Sequence, residues 1–334
     1  MQRIIKSYKS NLGTGKKTLK IQGKKFVVIG GAGLIGSHLV EQLLHAKASK
    51  VIVFDNFYRG KIKNLKNCLG NKNLKILKKG NNILVPNSLD RAIKGTDGVF
   101  HLAALWLLEC YNKPEKAFEV NIKGTFNVIQ SCLRNKVKKL VFSSSASVYG
   151  DAVTKYIKED HPFNNKNFYG ATKICGEAIL TAMHHRYGLN FVGLRYMNVY
   201  GPRQDNKGAY IAVIMKMINA IKEGRSPVIT GTGQESFDFI NVKDCARANI
   251  QAMKSKINNQ FYNVGTGRKT SLNQLAKMIL KIMKSKVKIK YKLNNKIGLV
   301  KNRVAFVKKA DKDLGFSYKI DLKSGLRDYL DYES

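Results

Sequence analysis

Residues 26–36 read Phe-Val-Val-Ile-Gly-Gly-Ala-Gly-Leu-Ile-Gly, and this segment indicates the fold of the chain. Its first four residues are apolar and three of them are β-branched, which predicts a buried strand that ends at Gly30. The apolar periodicity that starts at Leu34 predicts a helix over Leu34–Lys47. A strand that turns on glycines directly into a helix is typical of the first unit of a parallel α/β sheet.

The glycines of this turn also have a chemical use. Gly30, Gly33 and Gly36 have the spacing G-x-x-G-x-x-G, which permits a tight turn and lets the backbone approach a pyrophosphate at the helix N-terminus. Asp55 follows Gly36 after 19 residues, at the end of the next apolar run, where a carboxylate can bind the ribose hydroxyls of adenosine. Because a carboxylate repels a 2′-phosphate, the pattern favours NAD over NADP.

The alternation of short apolar runs with helical patterns continues along the chain. It predicts an α/β fold with a doubly wound, Rossmann-type parallel sheet, and right-handed crossovers place helices on both faces. The predicted strands are Phe26–Gly30, Val51–Asp55, Leu74–Leu77, Gly98–Leu102, Lys139–Ser143, Asn190–Tyr196 and Gln260–Val264. The predicted helices are Leu34–Lys47, Ala117–Lys136 and Tyr169–Tyr187.

The regular alternation of predicted strands and helices changes after residue 198, which suggests two domains. Residues 24–198 are expected to form the NAD-binding domain, with 234–264 returning to its sheet. Residues 199–233 and 265–334 are expected to form a smaller C-terminal substrate-binding domain. Residues 1–23 are a basic N-terminal extension without the apolar core of a secretory signal.

Composition narrows the classes of protein to be considered. No stretch approaches the ~18–20 continuous apolar residues of a membrane span. The five cysteines are scattered without a C-x-x-C pair, which indicates reduced thiols in the cytoplasm and no metal site. The net charge of +38 would suit a polyanion, but the lysines are spread along the chain and no nucleic-acid-binding motif is present. We therefore expect no specific nucleic acid partner, although the positive field attracts small anionic ligands.

Tyr169 and Lys173 are candidates for proton transfer. Residues at i and i+4 of a helix share one face, so the ammonium can lie beside the phenol and favour the phenolate. A free tyrosine titrates near ~10, and lowering that pKa to about 7 takes roughly 4 kcal/mol. The phenolate could then act as a general base for a substrate hydroxyl. Since Tyr-x-x-x-Lys also occurs in many surface helices, the pair alone does not define a site.

Further motifs follow in a fixed order along the chain. They are His101-Leu102-Ala103-Ala104, Asn121, Ser143–Gly150, Leu194–Gln204, Asp238–Asp244 and Asn263–Gly267. Together with the glycine loop, Asp55 and the Tyr169/Lys173 pair, they make residues 24–330 resemble the extended short-chain dehydrogenases/reductases. The resemblance is to the NAD-dependent nucleotide-sugar epimerase/dehydratase family, and within it to UDP-glucose 4-epimerase-like members. It implies NAD as the cofactor and a nucleotide sugar, UDP-linked, as the substrate.

The resemblance also implies a role for single residues. Ser145 would hydrogen-bond the reacting sugar hydroxyl, Tyr169 would be the base, and Lys173 would also hold the nicotinamide ribose; these three are the expected catalytic residues. The residues expected to bind the cofactor are Gly30, Gly33, Leu34, Ile35, Gly36, Asp55, Asn56, Asn82, Ile83, Leu102, Ala103, Ala104, Asn121, Ser143, Tyr169 and Lys173. The residues expected to bind the substrate are Ser145, Tyr169, Asn198 at the diphosphate, Trp106, Thr230 and Arg303.

The two residues after Ser145 discriminate between reactions. In the 4,6-dehydratases an Asp–Glu pair stands there and moves two protons, and a decarboxylase would place a Glu there. Here the positions hold Ala146 and Ser147, which cannot supply those protons. This pattern matches the 4-epimerases, in which a hydride leaves sugar C4 for NAD and returns to the other face of the 4-keto sugar.

Two alternatives stay open. One is a 4,6-dehydratase or decarboxylase that uses carboxylates elsewhere, such as Glu159 or Asp160. The other is a non-catalytic protein that binds a polyanion through its basic surface. An intact Ser145, Tyr169 and Lys173 set argues against the second alternative, because a binding protein has no need of a tuned phenol.

The sequence departs from the epimerase pattern near the substrate. Phe237 stands where an Arg often contacts a phosphate, so we expect Arg303, or else Lys296, to hold the diphosphate. Thr230 stands near the position of an aromatic that contacts the base in galactose-type epimerases, and it cannot stack. Trp106, the only tryptophan, could shape the sugar pocket or belong to the core. The resemblance also implies a homodimer formed through the predicted helices Ala117–Lys136 and Tyr169–Tyr187.

Overall fold

A sheet of seven parallel strands forms the centre of the molecule. The computed structural model describes residues 18–77, 81–204, 213–293 and 302–333. The strands are β1 (Lys25–Ile29), β2 (Lys50–Phe54), β3 (Leu74–Ile76), β4 (Gly98–His101), β5 (Lys139–Ser145), β6 (Phe191–Tyr196), β7 (Asn198–Tyr200), β8 (Val228–Thr230), β9 (Ser236–Phe237), β10 (Phe239–Asn241), β11 (Gln260–Val264), β12 (Thr270–Ser271), β13 (Lys290–Lys292) and β14 (Asn302–Arg303). The central sheet has the order β3-β2-β1-β4-β5-β6-β11. All seven predicted strands are therefore confirmed within two residues at each end.

Helices connect the strands and cover both faces of the sheet. They are α1 (Leu34–His45), α2 (Pro86–Ile93), α3 (Leu107–Asn112), α4 (Pro114–Ala117), α5 (Gly124–Arg134), α6 (Phe168–Tyr187), α7 (Val213–Lys222), α8 (Val242–Lys254), α9 (Leu272–Ile282), α10 (Lys308–Leu314) and α11 (Leu322–Glu333). The helix predicted over Ala117–Lys136 is not continuous, because a π-helical turn, Phe118–Lys123, separates α4 from α5. Helix α6 starts where the side chain of Asn167 caps the amide of Gly170 and ends at Gly188 in the left-handed region.

The pleat of β1 shows how the sheet is buried on both sides. Phe26 and Val28 belong to the hydrophobic core that α1 and α8 cover. Val27 and Ile29 point the other way, into a core shared with α2, α5 and α6. All four side chains are fully buried, which is why this strand is a continuous apolar run rather than an alternating one. The predicted doubly wound α/β fold is confirmed.

A third hydrophobic core lies outside the central sheet. It joins α7, α9 and α11 through residues such as Ile218, Leu275 and Leu326, and it includes Tyr200 and Phe239. Short strand pairs and a three-stranded sheet, in the order β12-β9-β14, belong to the same part of the chain. In this way segments from after residue 198 pack beside the carboxyl ends of the central strands.

Membrane-spanning helices and groups of side chains that could hold a metal ion are both absent from the described residues. None of their helices is both long enough and apolar enough to cross a membrane. Across the same ranges, His, Cys, Asp and Glu side chains form no group of three or more that could hold a metal ion. Residues 1–17 and Lys296 lie outside the described residues.

Candidate active site

The glycine loop between β1 and α1 is a cradle that side chains would fill. Gly30 has φ +80°, and a Cβ there would lie 2.7 Å from the amide nitrogen of Ala103. A Cβ at Gly36 would overlap the carbonyl oxygen of Gly30. Gly33 caps α1 without a side-chain hydrogen bond, so the first amides of the helix are available to an anion. The loop stands between β1 and β4, where the strand order reverses, and it fits a dinucleotide pyrophosphate.

Asp55, directly after β2, is held in one orientation by backbone amides. Its Oδ2 accepts a hydrogen bond from Ala32 at 2.9 Å, and its Oδ1 accepts one from Phe57 at 2.8 Å. Burial raises the pKa of this carboxyl, and the two amide hydrogen bonds oppose the rise. A cavity of about 170 Å³ adjoins Asp55 and is lined by cofactor candidates, among them Asn56, Asn82, Ile83, Leu102, Ala103 and Ala104. The cavity suits the adenosine half of a dinucleotide.

A larger cavity of about 590 Å³ opens at the carboxyl ends of β1, β4, β5 and β6. Its wall brings together the glycine loop and most of the predicted reaction and substrate residues. They are Gly30, Gly33, Leu34, Ile35, Gly36, Leu102, Ala104, Trp106, Ser143, Ser145, Tyr169, Lys173, Asn198 and Arg303. The cofactor loop and the candidate catalytic residues therefore share one cavity.

Tyr169, Lys173 and Ser145 form a connected group on that wall. The Lys173 Nζ donates a hydrogen bond of 2.8 Å to the carbonyl of Ser143 and lies 5.7 Å from the ring centre of Tyr169. The hydroxyl of Tyr169 is hydrogen-bonded to Ser145. Helix α6 supplies the tyrosine and the lysine four residues apart, and the end of β5 supplies the serine. This geometry is suited to proton transfer with a hydroxyl that binds between Ser145 and Tyr169.

Burial shifts the pKa values of both Tyr169 and Lys173, and the shift of Tyr169 is opposite to the one expected from the sequence. Burial raises the pKa of Tyr169 to about 12, and the hydrogen bond to Ser145 lowers it only in part. Burial lowers the pKa of Lys173 to about 8, against the opposing effect of Cys110 and Glu177. Burial thus favours the neutral phenol and opposes the effect that the sequence led us to expect of the lysine.

The turn after Ser145 carries no acid. The Ser145 Oγ accepts a hydrogen bond from the amide of Ser147 at 3.1 Å, and Ala146 is buried. Glu159 and Asp160 line a different cavity, and the Glu159 Oε1 accepts a hydrogen bond from the amide of Asn263 at 2.8 Å. Among the residues with described positions, no aspartate or glutamate lines the large cavity.

Asn121 is buried in the protein and lines neither of the two cavities. Its Oδ1 accepts a hydrogen bond of 2.7 Å from the amide of Leu105, and its Nδ2 donates to the carbonyl of Leu105 at 2.9 Å. The same Nδ2 lies 3.2 Å from the Thr172 Oγ1 on α6. Asn121 is buried within the π-helical turn, so it connects the loop after β4 to the catalytic helix and does not line either cavity.

The remaining substrate candidates divide in two. Trp106 lies on the cavity wall with the Arg59 guanidinium 4.4 Å from its ring centre. Asn198 also lines the cavity, and its backbone amide donates to the carbonyl of Asp238 at 3.0 Å. Thr230, at the end of β8, is exposed, and the structure does not bring it to the wall formed by the described residues.

Several cavity residues were missed by the sequence reasoning. Arg59, Lys61 and Lys63 line the large cavity, and the signal that could have found them is the run of basic residues shortly after Asp55. Arg203 also lines it and has a left-handed backbone at φ +70°. It lies within the Leu194–Gln204 motif, but nothing in that motif distinguishes it from a surface arginine.

A buried ion pair lies behind the site. Glu177 of α6 accepts hydrogen bonds from Arg195 of β6, at 2.9 Å to Oε1 and 2.6 Å to Oε2. The Glu177 Oε1 also accepts a hydrogen bond from the hydroxyl of Ser144. The Arg195 Nη1 donates to the hydroxyl of Tyr149 at 2.8 Å. The network joins α6 to the ends of β5 and β6, next to the catalytic residues.

Comparisons with known proteins agree with this site. The sequence model of the NAD dependent epimerase/dehydratase family matches residues 26–265. A UDP-N-acetylglucosamine 4-epimerase from Methanobrevibacter ruminantium, solved with UDP-N-acetylmuramic acid, matches with a TM-score of 0.87 and 38% identity, over 93% of this chain and 98% of that one. The UDP-glucose 4-epimerase of Thermus thermophilus, solved with NAD, matches with a TM-score of 0.81 and 28% identity, over 92% of this chain and 98% of that one.

A relative with a different reaction is also similar. A UDP-N-acetyl-alpha-D-glucosaminuronate decarboxylase from Bacillus cytotoxicus is 34% identical over 276 residues, which are 80% of this chain and 82% of the relative. The family match spans the glycine loop, Asp55, Ser145, Tyr169 and Lys173. The chain therefore belongs to the NAD dependent epimerase/dehydratase family, and its cofactor is NAD.

Proposed function

We propose that this protein catalyses the NAD-dependent epimerisation of a UDP-linked sugar at C4, through a transient 4-keto sugar. The observation that carries the proposal is a single cavity that holds Ser145, Tyr169 and Lys173 beside the cofactor loop. In the described part of its wall, no carboxylate is present to move a second proton. Such a wall supports removal and return at one carbon, and it lacks the acid and base that elimination of water needs.

Each catalytic side chain has a defined task in this reaction. In its phenolate form, Tyr169 takes the proton of the C4 hydroxyl, while Ser145 holds the same oxygen by a hydrogen bond. Lys173, fixed by the Ser143 carbonyl, places a positive charge beside the phenol. When bound, NAD supplies the acceptor and, once reduced, the donor of the C4 hydride. Tyr169 then returns the proton to the oxygen of the epimerised sugar.

The glycine loop and the small cavity would hold the two halves of the cofactor. The amides at the start of α1 face the pyrophosphate, and Asp55 is oriented for the adenosine ribose. The larger cavity leaves room for the nucleotide sugar between this loop and the segment that contains Asn198. We assign the substrate side to the smaller domain predicted over 199–233 and 265–334, and the core that joins its residues Tyr200, Ile218 and Leu275 supports that assignment.

Labelling in deuterated water tests the reaction. Purified protein is incubated with NAD and with UDP-glucose, UDP-N-acetylglucosamine or UDP-glucuronate, and the products are identified by NMR and mass spectrometry. Epimerisation predicts the C4 epimer of at least one substrate without deuterium at C5. Deuterium at C5 with loss of the 6-hydroxyl would establish a dehydratase. Loss of carbon dioxide from UDP-glucuronate would establish a decarboxylase, as in the Bacillus cytotoxicus relative.

The assembly and the location of the protein are further parts of the proposal. Phe118 and Phe126, on the turn before α5 and on α5, are exposed by 53% and 38%, which supports a homodimer through this helix and α6. Sedimentation of the wild type and of Phe126→Glu tests the dimer, and an unchanged dimer in the variant would argue against this face. We also propose a cytoplasmic location, because all five cysteines are unpaired thiols.

A further inference from the structure

Arg303 is a cation on the wall of the large cavity with few partners of its own. Its Nη2 donates one long hydrogen bond of 3.5 Å to the carbonyl of Gly150, and its Nε is buried without a partner. Asp151 is the carboxylate that acts on the charge of this guanidinium, and it forms an ion pair with Lys166 at 3.8 Å. Burial lowers the pKa of Arg303 to about 10, and Asp151 opposes this. A buried guanidinium with few partners is stabilised strongly when an anion binds to it.

The whole wall is built for anions. Six basic side chains line the large cavity, and among the described residues that line it none is acidic. They are Arg59, Lys61, Lys63, Lys173, Arg203 and Arg303. A cleft lined by one sign of charge concentrates ligands of the opposite sign. The phosphates of the cofactor and of the substrate can pair with some of these cations. The position of each cation therefore indicates which of them is left for another anion.

For five of the six cations, the position is explained without a negative charge on the sugar. Arg59, Lys61 and Lys63 follow Asp55 on the cofactor side, and Lys173 is held by the Ser143 carbonyl. Arg203 follows Asn198 on the same segment and is bonded to Glu41 of the cofactor helix α1 at 2.6 Å, with its Nη1 unpartnered. The unpartnered Nη1 of Arg203 is a donor that remains for a phosphate in the cavity.

Arg303 lies on the same wall as Ser145 and Tyr169, and it contacts the segment that follows Ser145. In the parallel pair of β14 with β9, it stands opposite Phe237. The carbonyl that it contacts belongs to Gly150, which closes the turn that begins at Ser145. A sugar whose C4 reaches Ser145 and Tyr169 therefore occupies the cavity that Arg303 also lines.

We infer that Arg303 binds a carboxylate carried by the sugar, so that the substrate class is a UDP-linked acidic sugar such as a hexuronate. The inference rests on the proposed function, which places the sugar in this cavity, and it changes the diphosphate role that the sequence suggested for Arg303. A neutral sugar leaves the buried guanidinium unpaired, and a site of this kind discriminates against the analogue that lacks the partner group.

Binding measurements on the NAD-loaded protein test the inference. UDP, UDP-glucose and UDP-glucuronate are titrated by calorimetry into the wild type, Arg303→Met and Arg303→Lys. The control is Arg268→Met, which removes one positive charge from an exposed position outside the cavity. The wild type and the control should bind UDP-glucuronate at least about tenfold more tightly than UDP-glucose. Arg303→Met should lose this preference, and Arg303→Lys should keep part of it.

Three results would overturn the inference. They are a wild type without the preference, an Arg303→Met variant that keeps it, and an equal loss of affinity for UDP, UDP-glucose and UDP-glucuronate. The last result would return Arg303 to the diphosphate. If Arg303→Met does not fold, the wild-type preference and Arg303→Lys still decide the question.

Product analysis separates this inference from the proposed function. If UDP-glucuronate gives an isomer of equal mass, both stand. If it loses carbon dioxide while the Arg303-dependent preference persists, epimerisation fails but the carboxylate site stands. If UDP-glucose is epimerised and the preference is absent, the function stands and the carboxylate site fails.

Discussion

Glu177 accepts a hydrogen bond of 2.5 Å from the hydroxyl of Ser144, the residue between the two serines that meet Lys173 and Tyr169. Four residues earlier on the same helix, Lys173 donates to the carbonyl of Ser143. Helix α6 is therefore fixed to the end of β5 by two adjacent contacts, and Arg195 completes the pairing of the Glu177 carboxylate.

Glu177→Gln should lower the free energy of unfolding by about 3–5 kcal/mol, because it leaves the buried Arg195 without its counter-charge. Chemical denaturation at constant NAD concentration measures the change. Glu115→Gln, on the exposed helix α4, is the matched control and should change stability by less than about 0.5 kcal/mol. A loss as small as that of the control would show that the ion pair does not hold α6 against β5.

Tyr169→Phe should retain NAD but lose turnover by about 10²–10⁴-fold, since a general base contributes that much. Cofactor retention is read from the absorbance of the purified protein and turnover from product formation. Phe168→Tyr serves as a control at the exposed neighbouring position. Turnover equal to that of the wild type would remove Tyr169 from the role of base.

Stability should depend on pH through Lys173. Its pKa is about 8 in the folded protein and 10.5 as an ordinary lysine, so the unfolded chain binds the extra proton between these values. The contribution of Lys173 to stability is therefore lowest below pH 8 and rises up to about pH 10.5, by at most about 1.4 kcal/mol per pH unit. The unfolding free energy of the wild type minus that of Lys173→Met should rise over this window. Parallel profiles would contradict the lowered pKa.

The fluorescence of Trp106 should report on the cavity. It is the only tryptophan, it lines the cavity wall, and the Arg59 guanidinium lies over its ring. Adding UDP or a UDP-sugar to the NAD-loaded protein should change its emission with a saturable dependence on concentration. Arg59→Ala should shift the starting emission, because it removes the cation from the ring. A constant emission at saturating ligand would place the substrate elsewhere.

Gly36→Ala should abolish NAD binding, since its Cβ would overlap the Gly30 carbonyl and force the loop apart. Gly33→Ala is the matched control, because a Cβ there would lie 3.3 Å from the same oxygen and needs a much smaller adjustment. Equilibrium dialysis with labelled NAD compares the two. Equal NAD affinity in both variants would show that the loop does not need the close approach.

The fold could be predicted from the sequence because the patterns that indicate it are local. Apolar runs, glycines and helix periodicity act over a few residues, which is why β11 was predicted to the residue and the glycine loop could be assigned to a pyrophosphate. The π-helical turn at Phe118–Lys123 was not predictable in this way. Within this turn, Asn121 is hydrogen-bonded to Leu105 and Thr172, which are distant in sequence.

Residue types and their spacing were enough to predict the parallel α/β sheet and the cofactor loop. They also gave the order of Ser145, Tyr169 and Lys173 and the lack of carboxylates directly after Ser145. The pKa shift of Tyr169, the place of Glu159 in a different cavity and the contact of Arg303 with Gly150 are visible in the folded chain alone. Burial, charge and unpaired donors depend on which distant segments pack together. A pattern along the chain records residue types and spacing, and it does not record how much solvent each group loses.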